Sequence, residues 1–205
     1  AAKGAPSGVP PELVVTSDVD GLLVDARASA LLVGPGLGRS DEAARLLAKV
    51  LHAGKATVVD ADALVLLRPA MLGAGPCVLT PHEGEMAALE RAFGLSGTGL
   101  RRERARALAE ASGAVVVLKG PDTVVAAPGG DVVVSPRASS WLSVAGTGDV
   151  LAGTIASRLA THGESLRAAV EGLWLHAEAA RLCGPAFTAG ELAHAVQAAL
   201  KECHE

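Results

Sequence analysis

The chain has 205 residues, of which 50% are hydrophobic and 2% are aromatic, and its formal net charge at pH 7 is −4. This length and apolar content predict a single domain over residues 1–205 with a well-buried core. The acidic balance, without a basic stripe interleaved with aromatic residues, excludes the usual nucleic-acid-binding modules. No apolar run of about 18 residues is free of charge and glycine, which excludes a membrane-spanning helix.

The N-terminal segment and the cysteines favour a cytoplasmic protein. Residues 1–11 are rich in Gly and Pro, lack the apolar core of a signal peptide, and are predicted to be disordered. The three cysteines, Cys77, Cys183 and Cys203, are odd in number and lack the spacing of zinc ligands. Such cysteine usage is typical of a reducing compartment.

Short apolar runs alternate with helical patterns along the first two thirds of the chain. Strands are predicted near residues 30–33, 57–60, 77–80 and 115–118. The longer patterns between them predict helices over residues 41–52, 84–93 and 101–112. Because the strands are continuously apolar, they predict a mostly parallel α/β sheet with helices on both faces.

The last third of the chain adds a hairpin and a helical segment. Pro128–Asp131 separates the runs 123–127 and 132–135, which is the pattern of a β-hairpin. Helices are then predicted over about 150–161, 165–182 and 189–202. Trp174 and Leu175 lie in the second of these helices, where an apolar stripe is either a subunit interface or ordinary core.

Polar clusters follow the predicted strands, at the points where ligands bind in open α/β sheets. They are the glycine turn Gly34–Gly38, the pair Asp60 and Asp62, the segment Thr80–Glu85, and Lys119 with Gly120. Each also has a structural interpretation: the glycines shape a turn, Asp60, Asp62, Thr80 or Glu83 cap helices, and Lys119 is a solvated charge. Together the clusters predict a site for a large anionic ligand, with carboxylates for Mg²⁺.

The segment VAGTGDVLAG (144–153) places Asp149 behind a glycine turn and before an apolar helical run. A helix start presents unpaired N–H groups and partial positive charge, which suit an anion. Asp149 is therefore either a simple N-cap or a carboxylate that takes part in the chemistry of an anion site.

Five motifs follow one another along the chain: LLVGPGLG (31–38), VVDADAL (58–64), LTPHEGEMAAL (79–89), VVVLKG (115–120) and AGTGDVLAGTIASRLA (145–160). In order and spacing they resemble the ADP/ATP-dependent NAD(P)H-hydrate dehydratases of the ribokinase-like superfamily. The resemblance runs from about Glu12 to the C-terminal helix and implies a three-layer αβα ribokinase-like fold. It also implies that ADP or ATP, with Mg²⁺, phosphorylates the hydroxyl of hydrated NADH or NADPH, after which phosphate leaves.

The resemblance assigns roles to individual residues. Asp149 would be the catalytic base, and Gly146, Thr147 and Gly148 would form the anion hole for the transferring phosphoryl group. The nucleotide-binding residues would be Lys119, Gly120, Pro121, Asp122, Thr123 and Gly148. The substrate-binding residues would be Gly34, Gly36, Gly38, His82 and Asp149. By their chemistry, Asp60 and Glu85 are the candidate Mg²⁺ ligands, directly or through water.

Three features depart from the family pattern. The usual N-terminal strand–turn–helix segment has no counterpart before Glu12, and the loop before GTGD lacks its asparagine and offers Ser139 or Ser140 instead. The family motif HGxAGD reads HAEAAR here: His176 remains, but the two glycines and the acidic residue do not. Two alternatives therefore stay open: a kinase of a thiazole or pyrimidine alcohol from the same superfamily, and a nucleotide-binding protein without turnover.

The expected partners are an adenine nucleotide and hydrated NADH or NADPH, with no nucleic acid and no membrane, and we expect a homo-oligomer. Replacing Lys119 by Ala is expected to weaken ADP binding by about 1–3 kcal/mol, the usual contribution of a charge-assisted hydrogen bond. With a solvent-facing side chain, the same change would leave stability nearly unaltered.

Overall fold

The computed structural model of the protein describes residues 13–136 and 138–203, and its six strands form one sheet in chain order. The strands are β1 (Ala30–Val33), β2 (Ala56–Val59), β3 (Cys77–Leu79), β4 (Val115–Leu118), β5 (Val124–Ala126) and β6 (Val132–Val134). Strands β1 to β4 are parallel, and β5 and β6 form an antiparallel hairpin beside β4. The predicted sheet and hairpin are confirmed, whereas the prediction for residues 1–11 lies outside the described residues.

The helices also follow the predicted order. They are α1 (Val19–Val24), α2 (Asp41–His52), α3 (Asp62–Leu66), α4 (Glu83–Ala92), α5 (Arg101–Ser112), α6 (Thr147–His162), α7 (Ser165–Cys183) and α8 (Ala189–Glu202). Helix α6 begins at Thr147 rather than near residue 150, and the short helices α1 and α3 were not predicted. None of the helices in residues 13–136 and 138–203 is long and apolar enough to span a membrane.

Two apolar cores lie on opposite faces of the sheet, because successive strand residues point to opposite sides. Val33, Leu79 and Val116 pack with helices α2 to α5 on one face. Val78 and Val117 pack with α6 and α7 on the other face. The result is the predicted three-layer αβα arrangement, with the carboxyl ends of β1 to β4 at one edge.

Helices α6 and α7 approach closely at Gly172, which gives a test of the packing. A Cβ atom added there would lie 2.6 Å from Ile155 Cγ1 and 2.9 Å from Ile155 Cα. Gly172→Ala is therefore expected to lower the free energy of unfolding by about 1–3 kcal/mol through overpacking. Gly153→Ala on α6 meets open space and should raise stability by up to about 1 kcal/mol. Urea unfolding compares the two, and a stable Gly172→Ala variant would contradict the close crossing.

Glu171 on α7 links helices α6 and α7 through ion pairs. Partial burial alone would raise its pKa, but hydrogen bonds from Arg167, Arg158 and His162 lower the pKa to about 2. A carboxyl with a lowered pKa stabilises the fold above its unfolded pKa, and this stability is lost as the pH falls from about 4.5 toward about 2. Glu171→Gln should therefore make the free energy of unfolding fall less steeply over that interval. Parallel pH profiles for the two proteins would contradict this role.

Candidate functional site

Polar side chains that follow three neighbouring strands meet at the carboxyl edge of the sheet. Lys119 after β4 places its Nζ 2.8 Å from Oδ1 of Asp60, which follows β2. Thr80, after β3, donates its hydroxyl to the same oxygen at 2.8 Å. Glu85 Oε2 lies 3.9 Å from Lys119 Nζ. Because Asp60 is only 1% exposed, its charge depends on these partners.

This contact corrects the expectation that Lys119 faces solvent. Its side chain is 19% exposed and is held between two carboxylates. A Cβ atom on Gly148 would lie 3.6 Å from Lys119 Nζ, so the ammonium group also reaches the start of α6. Lys119 therefore supports the buried Asp60 and presents positive charge to the turn where an anion was predicted.

The start of α6 is capped by Gly146, which has a φ of +88° and no side chain. Asp149 is the third residue of the helix, and its side chain is not the N-cap, so that interpretation is wrong. The Thr147 N–H donates to Val144 O at 3.3 Å. Within the described residues, the N–H groups of Gly146, Gly148 and Asp149 have no hydrogen-bond partner. Thr147 therefore fixes the turn, while its neighbours offer N–H groups without partners, which suit an anion. The anion hole at Gly146, Thr147 and Gly148 stays a prediction.

His176 holds this turn from α7. Its Nε2 donates to the carbonyl of Thr147 at 2.8 Å, and the residue is 5% exposed. Burial lowers the pKa of His176, and nearby Lys119 lowers it further, although the bond to Thr147 acts in the opposite direction. A neutral imidazole with its proton on Nε2 follows from this environment.

His82 is the N-cap of α4. Its Nδ1 accepts from the N–H groups of Gly84 at 2.9 Å and Glu85 at 3.2 Å. In return, Glu85 Oε2 accepts from the N–H of His82 at 2.8 Å. This capping box corrects the expectation that Thr80 or Glu83 caps the helix. Because Nδ1 is an acceptor here, the neutral ring carries its proton on Nε2, and the side chain is 59% exposed.

The backbone conformation favours glycine at both ends of the turn after β1. Gly34 has a φ of +135°, and a Cβ atom there would lie 1.7 Å from the carbonyl oxygen of Asp60. Gly38 has a φ of +76°, which favours glycine, and its N–H donates to Asp62 Oδ2 at 3.0 Å. Gly36 has a φ of +69° and would have nothing within 4 Å of a Cβ atom. Open space therefore lies above the middle of the turn.

The predicted metal ligands do not fit direct coordination of Mg²⁺. Asp60 and Glu85 both face Lys119, whose ammonium group already provides their positive partner. The described part of the chain contains no group of three or more His, Cys, Asp or Glu side chains suited to a metal ion. A cation at this edge would need most of its oxygen ligands from elsewhere.

A cavity of about 310 Å³ opens between the segment after β4 and the start of α6. Its walls include Lys119, Gly120, Pro121, Thr123, Ser139, Ser140, Thr147, Gly148 and His176. Thr123 closes the 119–123 segment, since its Oγ1 lies 3.3 Å from the Gly120 N–H and 3.1 Å from the Gly120 carbonyl. The cavity thus brings together the predicted nucleotide-binding residues, apart from Asp122.

A family model and two similar relatives point to one family. The family model described as NAD(P)H-hydrate dehydratase matches residues 7–202. The bifunctional NAD(P)H-hydrate repair enzyme Nnr of Mycobacterium tuberculosis is 43% identical over 139 residues, which are 66% of this chain and 29% of that enzyme. The ADP-dependent (S)-NAD(P)H-hydrate dehydratase of Neisseria meningitidis is 37% identical over 181 residues, 83% of this chain and 60% of that enzyme. The chain thus spans less than two thirds of either relative.

A solved structure is similar as well. The ADP/ATP-dependent NAD(P)H-hydrate dehydratase of Bacillus subtilis, co-crystallised with ATP/Mg²⁺, superposes with a TM-score of 0.74 at 32% identity. The match covers 85% of this chain and 64% of that one.

Proposed function

Since the chain belongs to the NAD(P)H-hydrate dehydratase family, we propose that it uses ADP or ATP to convert hydrated NADH or NADPH back to the reduced cofactor. The observation that carries this proposal is the start of α6. There the exposed carboxylate of Asp149 follows N–H groups without partners among the described residues, and the Lys119 ammonium group lies close to the neighbouring Gly148. A base next to a preformed anion site is what phosphoryl transfer to a hydroxyl requires.

The proposed reaction has two steps. The hydroxyl oxygen of the hydrate attacks the terminal phosphoryl group of the nucleotide, and Asp149 takes the hydroxyl proton. A new P–O bond forms, and the P–O bond to the leaving AMP or ADP breaks. The lone pair of the ring nitrogen then expels phosphate, which leaves with that oxygen as the C–O bond breaks. The resulting iminium loses a proton from the neighbouring ring carbon to solvent, and this restores the C=C bond of the dihydronicotinamide. The N–H groups of Gly148 and Asp149 stabilise the negative charge of the phosphoryl group during transfer.

The two ligands are proposed to meet at Asp149. The nucleotide occupies the 310 Å³ cavity, where Lys119, Gly120, Pro121, Thr123 and Gly148 contact it and Asp122 borders it. The hydrate lies against the half-exposed side chain of His82 and the turn formed by Gly34, Gly36 and Gly38, which is open at Gly36. Mg²⁺ is proposed to arrive with the nucleotide phosphates and their waters.

We further propose a cytoplasmic homo-oligomer. Leu175 is 3% exposed and belongs to the core. Trp174, one position earlier on α7, is 48% exposed. A large apolar side chain at the surface is consistent with a subunit contact. Sedimentation analysis tests the assembly, and a Trp174→Glu variant that sediments like the parent would contradict a contact at this position.

The proposed function is tested by adding ADP or ATP to hydrated NADH or NADPH and following the absorbance of the dihydronicotinamide. Nucleotide-dependent recovery of that absorbance, with release of phosphate, supports the proposal. Phosphorylation of a thiazole or pyrimidine alcohol without recovery would indicate a kinase instead. Nucleotide binding with no turnover on any of these substrates would indicate a binding protein.

A further inference from the structure

We infer that Arg101 is a positioning residue that holds the segment 118–122, and with it the wall of the nucleotide cavity, in place. Arg101 is the first residue of α5. It is absent from the sequence-predicted site because the helix has the pattern of a solvated, Arg-rich helix. The inference rests on the proposed function only where nucleotide affinity is the readout.

One guanidinium group binds three backbone carbonyls of this segment. Nη2 of Arg101 donates to Leu118 O at 3.0 Å and to Lys119 O at 2.9 Å. Nη1 donates to Asp122 O at 2.7 Å. The side chain is only 24% exposed. A planar fork of donors can satisfy acceptors on both sides of a turn at once, which an ammonium point charge cannot do.

Gly120 gives independent evidence that the guanidinium is seated inside the segment. A Cβ atom at position 120 would lie 2.4 Å from Nη2 and 2.5 Å from Nη1 of Arg101. Gly120 is not among the residues with a positive φ. Glycine is therefore needed here for space, because any side chain would displace the guanidinium.

Arg101 also joins the nucleotide side of the site to the His82 turn. Its Nε lies 2.8 Å from Glu83 Oε1, as an ion pair without hydrogen-bond geometry. Glu83 follows His82 at the start of α4, and its other oxygen accepts from Arg104 at 2.9 Å. The Lys119 N–H donates to Pro81 O at 2.8 Å, beside the same turn. A shift of the 118–122 segment would therefore move Lys119 relative to both the His82 turn and Gly148.

The test compares Arg101→Ala and Arg101→Lys with Arg102→Ala, a matched change at the exposed neighbour on α5. Titration calorimetry with ADP should give a dissociation constant at least about tenfold higher for both Arg101 variants, as expected for lost charged hydrogen bonds. Millimolar methylguanidinium should restore ADP affinity to Arg101→Ala, because it can refill the vacated position. Arg102→Ala should bind like the parent.

Amide hydrogen exchange supplies a readout that needs no ligand. Exchange across residues 118–124 should be faster in the Arg101 variants and unchanged in Arg102→Ala. Unaltered ADP affinity together with unaltered exchange would overturn the inference. A lower melting temperature with no change in ADP affinity or exchange would overturn it as well. If Arg101→Ala does not fold, Arg101→Lys carries the same comparison. A parent protein that binds no nucleotide would contradict the proposed function, while exchange would still decide the role of Arg101.

Discussion

Asp149→Asn is expected to lower turnover by at least about 100-fold, the usual loss when a general base is removed. Asn has the same shape but cannot accept the proton. The variant should fold normally, because Asp149 is the third residue of α6, is exposed and does not cap the helix. The free energy of unfolding should change by less than about 1 kcal/mol, the contribution of a carboxylate near a helix start. ADP affinity should stay close to that of the parent.

The measurement is phosphate release in the presence of hydrated NADH and nucleotide, beside a urea titration of each variant. Asp41→Asn is a matched control, because Asp41 is also an exposed carboxylate in the first turn of a helix. It should lose a similar small amount of stability and keep its turnover. Near-parent turnover in Asp149→Asn would remove Asp149 from the chemistry.

Lys119→Met is expected to lower the free energy of unfolding by about 3–5 kcal/mol, the cost of leaving a buried charge without its partner. The change keeps the apolar stem but removes the ammonium group that lies 2.8 Å from Asp60 Oδ1. ADP affinity should fall as well, because the charge near Gly148 is lost. Most of the lost stability should return in Lys119→Met combined with Asp60→Asn, which has no buried charge to compensate.

Urea unfolding of both single variants and the double variant measures the coupling between the two positions. A coupling close to zero, or a cost below about 1 kcal/mol for Lys119→Met, would contradict a structural role for the pair. In that case Lys119 would act as a solvated charge, which is the structural interpretation of this residue in the sequence analysis.

The fold was largely predictable because its strands are short, apolar runs separated by long helical patterns. Helices α2, α5 and α8 begin and end at the predicted residues. The start of α6 was placed about three residues too late, because Thr-Gly-Asp is a weak helical sequence and Gly146 caps it without a side chain. Part of the predicted site lines the cavity, namely Lys119, Gly120, Pro121, Thr123, Thr147 and Gly148. The catalytic and binding roles of these residues stay predictions.

The missed features depend on contacts between residues distant in sequence. Lys119 and Asp60 are 59 positions apart, so their pairing could not be read from either motif. Arg101 lies in a helix whose charge pattern is that of a solvated face, yet its guanidinium lies in the 118–122 segment. The family resemblance predicts that His82 binds the substrate. Its role as the N-cap of α4 is not predicted, because histidine is not among the common capping residues.

The most direct test of the central claim follows one oxygen atom. The hydrate is prepared with a heavy oxygen isotope in its hydroxyl group and is incubated with the protein, ADP or ATP, and Mg²⁺. If the hydroxyl attacks the phosphoryl group before elimination, mass spectrometry of the released phosphate should find one labelled oxygen for each NADH or NADPH recovered. Label released into water, with unlabelled phosphate, would contradict phosphorylation of the hydrate and with it the assignment of Asp149 as the base.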